Sequence, residues 1–416
     1  MQSPAEPING ASITRCRMCK GDHFGDVISL GPHALGGVFP RTHEPDPLQA
    51  PLTVIRCTCC GLTQLKHSVD PANLYTSGYG YRSGINATMR QHLKALAGRV
   101  AGLIPLQKDS VVIDIGSNDG TLLNSYPDRV TRVGIDPLIR KFSEFYTGGI
   151  ITNTAFFSRD AVTAVIGNRK ADVVTSIAMF YDLEDPSRFV ADVAATLKPD
   201  GLWVVELSYL PSMLERNSYD TICHEHLEYY ALAQIEWLAE RNGLRVFDVE
   251  LNNINGGSFR AFVCPRDAAR NASRALVALR ESEAARGLHE QGPYDAFRDR
   301  CLAIRDELHS FIQNEVARGR RIHAYGASTK GNTILQFCGL NADVIEAAAD
   351  RNPEKWGART PASGIPIISE EESRSMKPDY YLALPWHFRD EFLAREHAFR
   401  ADGGRFIFPI PGIEIV

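Results

Sequence analysis

Residues 110–120 read SVVIDIGSNDG, an apolar run that ends in a glycine-bearing turn. A strand apolar at successive positions belongs inside a sheet covered on both faces, and the glycines let backbone approach a ligand where a side chain would collide. Three runs of the same kind follow, TRVGID at 131–136, ADVVTSIAM at 171–179 and GLWVVEL at 201–207, with helix-like stretches between them. Upstream, apolar residues at 89, 93, 96, 97, 100 and 103 keep helical spacing. This alternation predicts a parallel, doubly wound α/β sheet. LRVFDVEL at 244–251 and SFRAFVC at 258–264, joined by the turn NNINGG, would close it by antiparallel pairing.

The chemistry of the turn separates candidate ligands. Its spacing, Asp114-x-Gly116-x-x-x-Gly120, is neither the dinucleotide G-x-G-x-x-G nor a lysine-bearing phosphate loop. S-adenosylmethionine has no phosphate, and its amino-acid end calls for carboxylates and backbone amides. Asp114, Gly116, Ser117, Asn118, Asp119 and Gly120 supply both. Asp136 ends the next strand, where an acidic side chain grips ribose hydroxyls. The competing reading is a tight turn in an unrelated α/β sheet.

Past residue 268 the pattern changes. Residues 269–318 are rich in Ala, Leu and Arg and read as a helical connector. Alternation then restarts over 319–416, with RIHAYGA at 321–327, a helix after Lys330, DVIEAAAD at 343–350, DYYLAL at 379–384 and RFIFPI at 405–410. These runs predict a second, smaller α/β unit. In GASTKGN (326–332), amides at a helix start together with Lys330 can hold a diphosphate; a capping turn with an incidental lysine is the plainer reading. Asp350, after the next strand, is a second possible ribose acceptor.

Residues 1–78 form a third block, with Pro32, Pro40, Pro45, Pro47 and Pro51 and little regular periodicity. Five of the nine cysteines sit here, at 16, 19, 57, 59 and 60. Cys16-x2-Cys19 and Cys57-x2-Cys60 are two knuckles that can place four thiolates around zinc, leaving no open position, so the predicted site is structural. Cys59 competes with its neighbours, but the paired spacing favours Cys57 and Cys60. The central block then runs over 79–268.

Bulk properties narrow the partners. A net charge of −5 and 23% charged residues give no basic excess for nucleic acid or an anionic membrane. The first residues lack a charged segment followed by an apolar core, and no stretch approaches the ~20 apolar residues of a spanning helix. The expectation is a cytoplasmic protein, monomeric or a small homo-oligomer.

His224-Glu-His-Leu-Glu-Tyr-Tyr230 gathers two imidazoles, two carboxylates and two phenols after the fourth strand. Position 228 is Glu, so the H-E-x-x-H metalloprotease pattern fails. A histidine oriented by a neighbouring carboxylate is a candidate general base, set against a polar surface turn or a satisfied core histidine.

The order of these motifs resembles the three-domain sugar C-methyltransferases of the tetronitrose, mycarose and noviose pathways. The matching pieces are the paired cysteine knuckles, Tyr79-Gly-Tyr81-Arg-Ser83, VIDIGSNDGTLL, the Glu225-His226 pair, NGGSFR, AYGASTKGN and the series Gly357, Pro361, Gly364, Ile365, Pro366. The resemblance implies an N-terminal zinc domain, a central Rossmann-like class I methyltransferase domain for S-adenosylmethionine, and a C-terminal Rossmann-like domain that helps bind a nucleotide sugar. It implies deprotonation beside a 4-keto group, commonly at C-3, and methylation of the enolate. His226 becomes the candidate base with Glu225 its partner, and His224 and Tyr181 join them as catalytic candidates. Tyr79 joins the donor site. Tyr81, Cys223, Lys330, Asn332, Asp350 and Trp386 are candidate substrate contacts. Two positions depart from the pattern: Cys223 stands where a phenol is usual, and Tyr181 where a histidine is. Both would face the sugar, leaving room for a different sugar or reacting carbon, and His224 is placed to recover part of the polar function.

Two other functions fit the residues alone. One is an O- or N-methyltransferase acting on a sugar or another polar metabolite, because donor residues say little about the acceptor. The other is a noncatalytic nucleotide-sugar-binding protein.

Overall fold

The computed structural model describes residues 10–74 and 81–416. Tyr79 and the expected boundary at 78/79 lie outside the described residues.

The central sheet has seven strands, in the spatial order Leu244–Asn252, Ser258–Pro265, Leu197–Ser208, Ala171–Ile177, Val111–Ile115, Thr131–Ile135, Ile151–Asn153. The last five are mutually parallel; Ser258–Pro265 runs antiparallel to both of its neighbours. Chain order thus reverses between Val111–Ile115 and Ala171–Ile177, the point at which a doubly wound sheet opens a ligand crevice. All five residues of Val111–Ile115 are buried, as a strand covered on both faces requires; four are apolar, and the fifth is Asp114. Helix Ala87–Leu103, capped where the Asn86 side chain accepts from the Thr88 amide, covers one face with Leu93, Leu96, Ala97 and Val100. Pro186–Thr196 and Leu232–Arg241 cover the other. The short strand Ile151–Asn153 carries no hydrophobic run of its own and escapes a pattern-based reading.

The proline-rich N-terminal block is more regular than its sequence indicates. Phe24–Ala34, Gln49–Cys57 and Thr63–Leu65 form an antiparallel sheet, and Glu228–Tyr229, just after the His224–His226 turn, adds a fourth strand at its edge. Register shifts between Asp26 and Gly31 absorb the irregular alternation that hides Phe24–Ala34 in the sequence.

The C-terminal sheet repeats the doubly wound plan in the order Ile367–Ser369, Ala347–Asp350, Ile322–Tyr325, Tyr380–Ala383, Arg405–Phe408, Glu414–Ile415, parallel except for the last strand. Helices Arg274–Ala285 and Gly292–Ala317 occupy the region read as a connector. The longer one buries Tyr294, Phe297, Cys301, Ile304, Leu308 and Ile312 in a core shared with both the N-terminal and C-terminal sheets. The N-terminal and C-terminal sheets therefore share one hydrophobic core, and the central sheet packs in two others, one on each face. No helix among the described residues is long and apolar enough to cross a membrane.

Candidate functional site

The four knuckle thiols converge. The sulfur atoms of Cys16, Cys19, Cys57 and Cys60 all lie within 4.8 Å of one another. Cys16 stands 3.6 Å from Cys60, and Cys19 3.5 Å from Cys57. Thiolates about 2.3 Å from a tetrahedral zinc stand about 3.8 Å apart, so the donor set fits that ion closely. Cys59 is exposed and outside the group, which settles the choice among the three neighbours. The contact with the Cys60 sulfur is the largest influence on the Cys16 thiol, drawing it below the usual thiol range. Gln64 donates to the Cys16 sulfur and the Gly21 amide to that of Cys19, outer bonds that stabilise thiolate charge. The site is closed and structural.

At the crevice of the central sheet lies a cavity of about 350 Å³. Asp114, Gly116, Ser117, Asn118 and Asp136 line it as expected, and Phe156, Phe157, Leu138 and Leu183 give it apolar walls. Gly116 has φ +68, and a Cβ there would fall 2.9 Å from Met179 Cγ, so the turn admits no other residue without strain. Asp136 accepts from the amides of Asn118 (2.8 Å) and Leu138 (2.6 Å), which fixes both its oxygens at the cavity edge. Burial pushes the Asp114 carboxyl up to about 7, against the bond from Thr175 that lowers it and with the nearby charge of Asp136 adding to the rise. An apolar slot, a carboxylate at its edge and a polar turn suit S-adenosylmethionine.

Asp119 and Gly120 do not line this cavity; they shape it. Asp119 accepts from the Gly84 amide at 2.8 Å and Asn118 from the Ser83 amide at 3.0 Å, pinning residues 83–84 over the turn. Gly120 packs on the Tyr146 ring. Tyr81 is on the cavity wall, half exposed. Sequence reading missed Glu206, a buried carboxylate in the wall at the end of its strand, bonded to His92 at 2.5 Å and Arg260 at 2.8 Å. Its signal was available: acidic, and at the carboxyl end of a parallel strand. Glu184, also in the wall, receives Arg17 at 3.0 Å, tying the cysteine knuckle to the donor cavity.

The His224–Tyr230 segment divides its labour in a way its sequence does not reveal. The His224 Nε2 faces the Ala50 carbonyl at 3.0 Å, on the N-terminal sheet, and burial holds the imidazole down to about 4. That histidine braces two parts of the fold. His226 is partly exposed, with Nδ1 2.8 Å from the Thr221 carbonyl and its ring 4.4 Å from the Tyr181 ring. The carbonyl can only accept, so Nδ1 carries the proton and Nε2 keeps its lone pair. Burial, reinforced by the charge of Lys330, pulls His226 down to about 3, leaving it neutral at physiological pH. Glu225 does not supply the orienting bond expected of it; the Thr221 carbonyl does.

Around Lys330 a second group assembles at the crevice of the C-terminal sheet, between Ile322–Tyr325 and Tyr380–Ala383. Lys330 Nζ donates to the Asn255 carbonyl at 2.8 Å, and Asn255 lines the donor cavity. Trp386 Nε1 donates to Asp220 Oδ2 at 2.9 Å. Burial raises the Asp220 and Cys223 acids, with the charge of Lys330 opposing the rise, and lowers the His387 imidazole, with the same charge adding to the fall. Tyr229 Oη, His387 Nδ1 and Glu225 Oε2 are buried with no hydrogen-bond partner among the described residues. Such atoms are costly unless a polar ligand meets them. Asp220 and His387 were not legible as site residues: one lies in a short turn, the other in LPWHF, and neither belongs to a spaced motif.

Two expected substrate contacts have other bonds. Asn332 Nδ2 donates to the Gly36 carbonyl at 2.7 Å, joining the N-terminal block to the C-terminal sheet. Asp350 repeats the arrangement of Asp136, accepting from the Ala327 amide (2.8 Å) and the Asn352 amide (2.7 Å).

Three family models match in tandem: a zinc binding domain at 16–75, a methyltransferase domain at 81–249 and a C-methyltransferase C-terminal domain at 253–411. The C-methyltransferase NovU of Streptomyces niveus is 33% identical over 421 residues, covering 100% of this chain and 99% of its own. Among solved structures, magnesium protoporphyrin IX methyltransferase of Synechocystis PCC 6803 overlaps 44% of this chain and 86% of its own, at 14% identity and a TM-score of 0.33. A chain from the complex of the Haloferax volcanii Trm112 methyltransferase activator with a methyltransferase overlaps 43% and 92%, at 16% identity and 0.36. The full-length match decides between the open alternatives in favour of an enzyme that methylates carbon. With its tetrathiolate knuckle, donor crevice and third sheet in the order that the family models prescribe, the chain belongs to the S-adenosylmethionine-dependent C-methyltransferase family of NovU.

Proposed function

We propose that the chain methylates a carbon next to the keto group of a nucleotide-linked 4-keto deoxysugar, at C-3, with His226 as the base. The observation that carries this reading is the neutral His226, whose Nε2 lone pair is left available by the Nδ1 bond to Thr221. A carbon acid needs a neutral base held near its α-proton and a donor for the enolate oxygen. S-adenosylmethionine in the central cavity supplies the methyl group. Asp114, Ser117, Asn118 and Asp136 hold it, and Asn255 forms the common wall with the acceptor side. Tyr181, Cys223 and Trp386 bound the acceptor region, and the C-terminal crevice with Asp350 takes the nucleotide part.

The sugar reading draws support from the polar character of this region, where three buried polar atoms have no hydrogen-bond partner among the described residues. An apolar acceptor would leave them unsatisfied. The test is product analysis with S-adenosylmethionine and a panel of dTDP-, UDP- and GDP-linked 4-keto-6-deoxyhexoses. A carbon-bound methyl beside the keto group is the expected result; methylation of oxygen, or no turnover on any member, contradicts it.

A further inference from the structure

A helix start beside a lysine invites the assignment of Lys330 to a diphosphate, but the surroundings of its ammonium say otherwise. Lys330 is the second residue of Thr329–Phe337, where the Ser328 side chain accepts from the Gly331 amide and so already caps the helix end. Its Nζ turns instead toward the central sheet, to the Asn255 carbonyl at 2.8 Å. Asn255 belongs to the donor cavity wall, so the charge stands at the methyl-transfer end of the acceptor region.

The turn Tyr219–Thr221 packs on the same helix and supplies two more parts. Asp220 places a buried carboxylate near Lys330, its own direction fixed by the Trp386 indole at 2.9 Å. The adjacent Thr221 carbonyl holds His226 Nδ1 at 2.8 Å. The hydroxyl of Thr333, one helical turn past Lys330, donates to the Ile222 carbonyl at 3.1 Å and locks helix to turn. Cation and imidazole are thus mounted on two elements pinned together. An ammonium has three N–H donors. One is given to Asn255, and the other two have no hydrogen-bond partner among the described residues.

We infer that Lys330 stabilises the acceptor's enolate oxygen, with Asp220 as the residue that positions it, so that His226 and Lys330 act as base and oxyanion donor on the two sides of one carbonyl system. This rests on the proposed 4-ketosugar acceptor. His226 Nε2 takes the α-proton, and the C–H electron pair becomes the C=C bond while the carbonyl pair moves onto oxygen. That oxygen is then held by the Lys330 ammonium. The enolate carbon next takes the methyl group from sulfur, whose C–S pair leaves with S-adenosylhomocysteine, and the carbonyl reforms. The proton on His226 passes to solvent. No oxidant or further reactant is needed. The positive charge of Lys330 opposes the imidazolium that forms on His226, a cost that the negative charge of the enolate offsets.

The experiment uses the full-length zinc-loaded protein, the nucleotide 4-ketosugar panel, and the variants Lys330→Met, Lys330→Gln and Asp220→Asn. Calorimetry with S-adenosylhomocysteine and with dTDP, UDP and GDP measures each ligand alone. Lys330→Met should lower kcat by roughly 10²–10³-fold, the range for losing an oxyanion donor. Its affinity for S-adenosylhomocysteine and for the nucleoside diphosphate should stay within about threefold of wild type, under 1 kcal/mol. Lys330→Gln, which keeps a donor for Asn255, should fall alike and carries the test if the Met variant misfolds. Asp220→Asn should lower kcat about tenfold with little change in KM while binding S-adenosylhomocysteine at wild-type stoichiometry, which shows that the folded fraction is intact. A Lys330 variant that keeps kcat at saturation but loses diphosphate affinity tenfold overturns the inference and restores the phosphate role. So does loss of S-adenosylhomocysteine affinity in both Lys330 variants, which makes the residue structural. Wild-type protein inactive on every ketosugar refutes the acceptor class, and this assignment with it. An active wild type with unaltered Lys330 variants refutes this assignment alone.

Discussion

Lys330 of the C-terminal sheet and Asn255 of the central sheet meet at 2.8 Å, ammonium to carbonyl, and join the two crevices of the molecule. Each crevice lies where its sheet reverses strand order. In one, Gly116 faces Met179; in the other, Gly326 faces Pro385. The loop Asn255-Gly256-Gly257 reaches between them, with Gly256 so close to the Trp386 ring that a Cβ would lie 3.2 Å from it. The two crevices are therefore brought together by a loop whose sequence, NGG, is dictated by close approach.

His226→Asn should bind S-adenosylmethionine as wild type does and lose about 10²–10⁴-fold in kcat, the usual range for a general base. His224→Gln should spare kcat and lower Tm, because its partner is the Ala50 carbonyl on the N-terminal sheet. Steady-state rates and thermal melts on the two variants check this, and a reversed outcome would exchange their roles.

Gly116→Val should abolish donor binding, since the side chain would need a left-handed backbone and the space held by Met179. Asp136→Ala should weaken it about tenfold and also destabilise the fold, by stranding the buried Asn118 and Leu138 amides at about 1–3 kcal/mol each. Titration calorimetry beside a melting curve separates the two effects. Unchanged affinity in both variants would move the donor elsewhere.

Asp114 sets a pH dependence whose sign can be worked out. Its folded carboxyl is raised from 3.8 to about 7, so between those values the folded state holds a proton that the unfolded state has released. Its stabilising contribution is complete below the unfolded value and is lost as pH rises toward 7. Asp114→Asn, which cannot ionise, should show a flatter fall in stability from pH 4 to 7 than wild type. Parallel denaturant titrations across that range measure it; identical slopes would contradict a raised Asp114.

Protein purified without chelator should hold about one zinc per chain, and Cys57→Ser should hold little. The loss should reach beyond the N-terminal block, because Arg17, between two ligands, grips Glu184 in the donor wall. Metal analysis with S-adenosylhomocysteine calorimetry should find affinity lowered along with zinc. Full affinity in the zinc-free variant would show the two sites to be independent.

The sequence by itself determined the local chemistry. Strands such as Val111–Ile115 are apolar but for one site residue, Asp114, because both faces are covered, so each announces itself wherever it lies in the fold. The cysteine knuckles and the donor turn were legible for a similar reason: ligand spacing and glycine placement are local constraints. The tertiary structure alone decided what depends on distant partners. Two histidines one residue apart parted company, His224 turning to Ala50 and His226 to Thr221, because neighbouring side chains in an irregular turn point to different neighbours. Asp220 and His387 entered the site through a lysine that is more than fifty residues from either in the sequence. Burial, and the positive charge that burial leaves unscreened, are properties of the assembled chain, and they make a neutral histidine, and an ammonium aimed at the Asn255 loop, out of residues the sequence can only name.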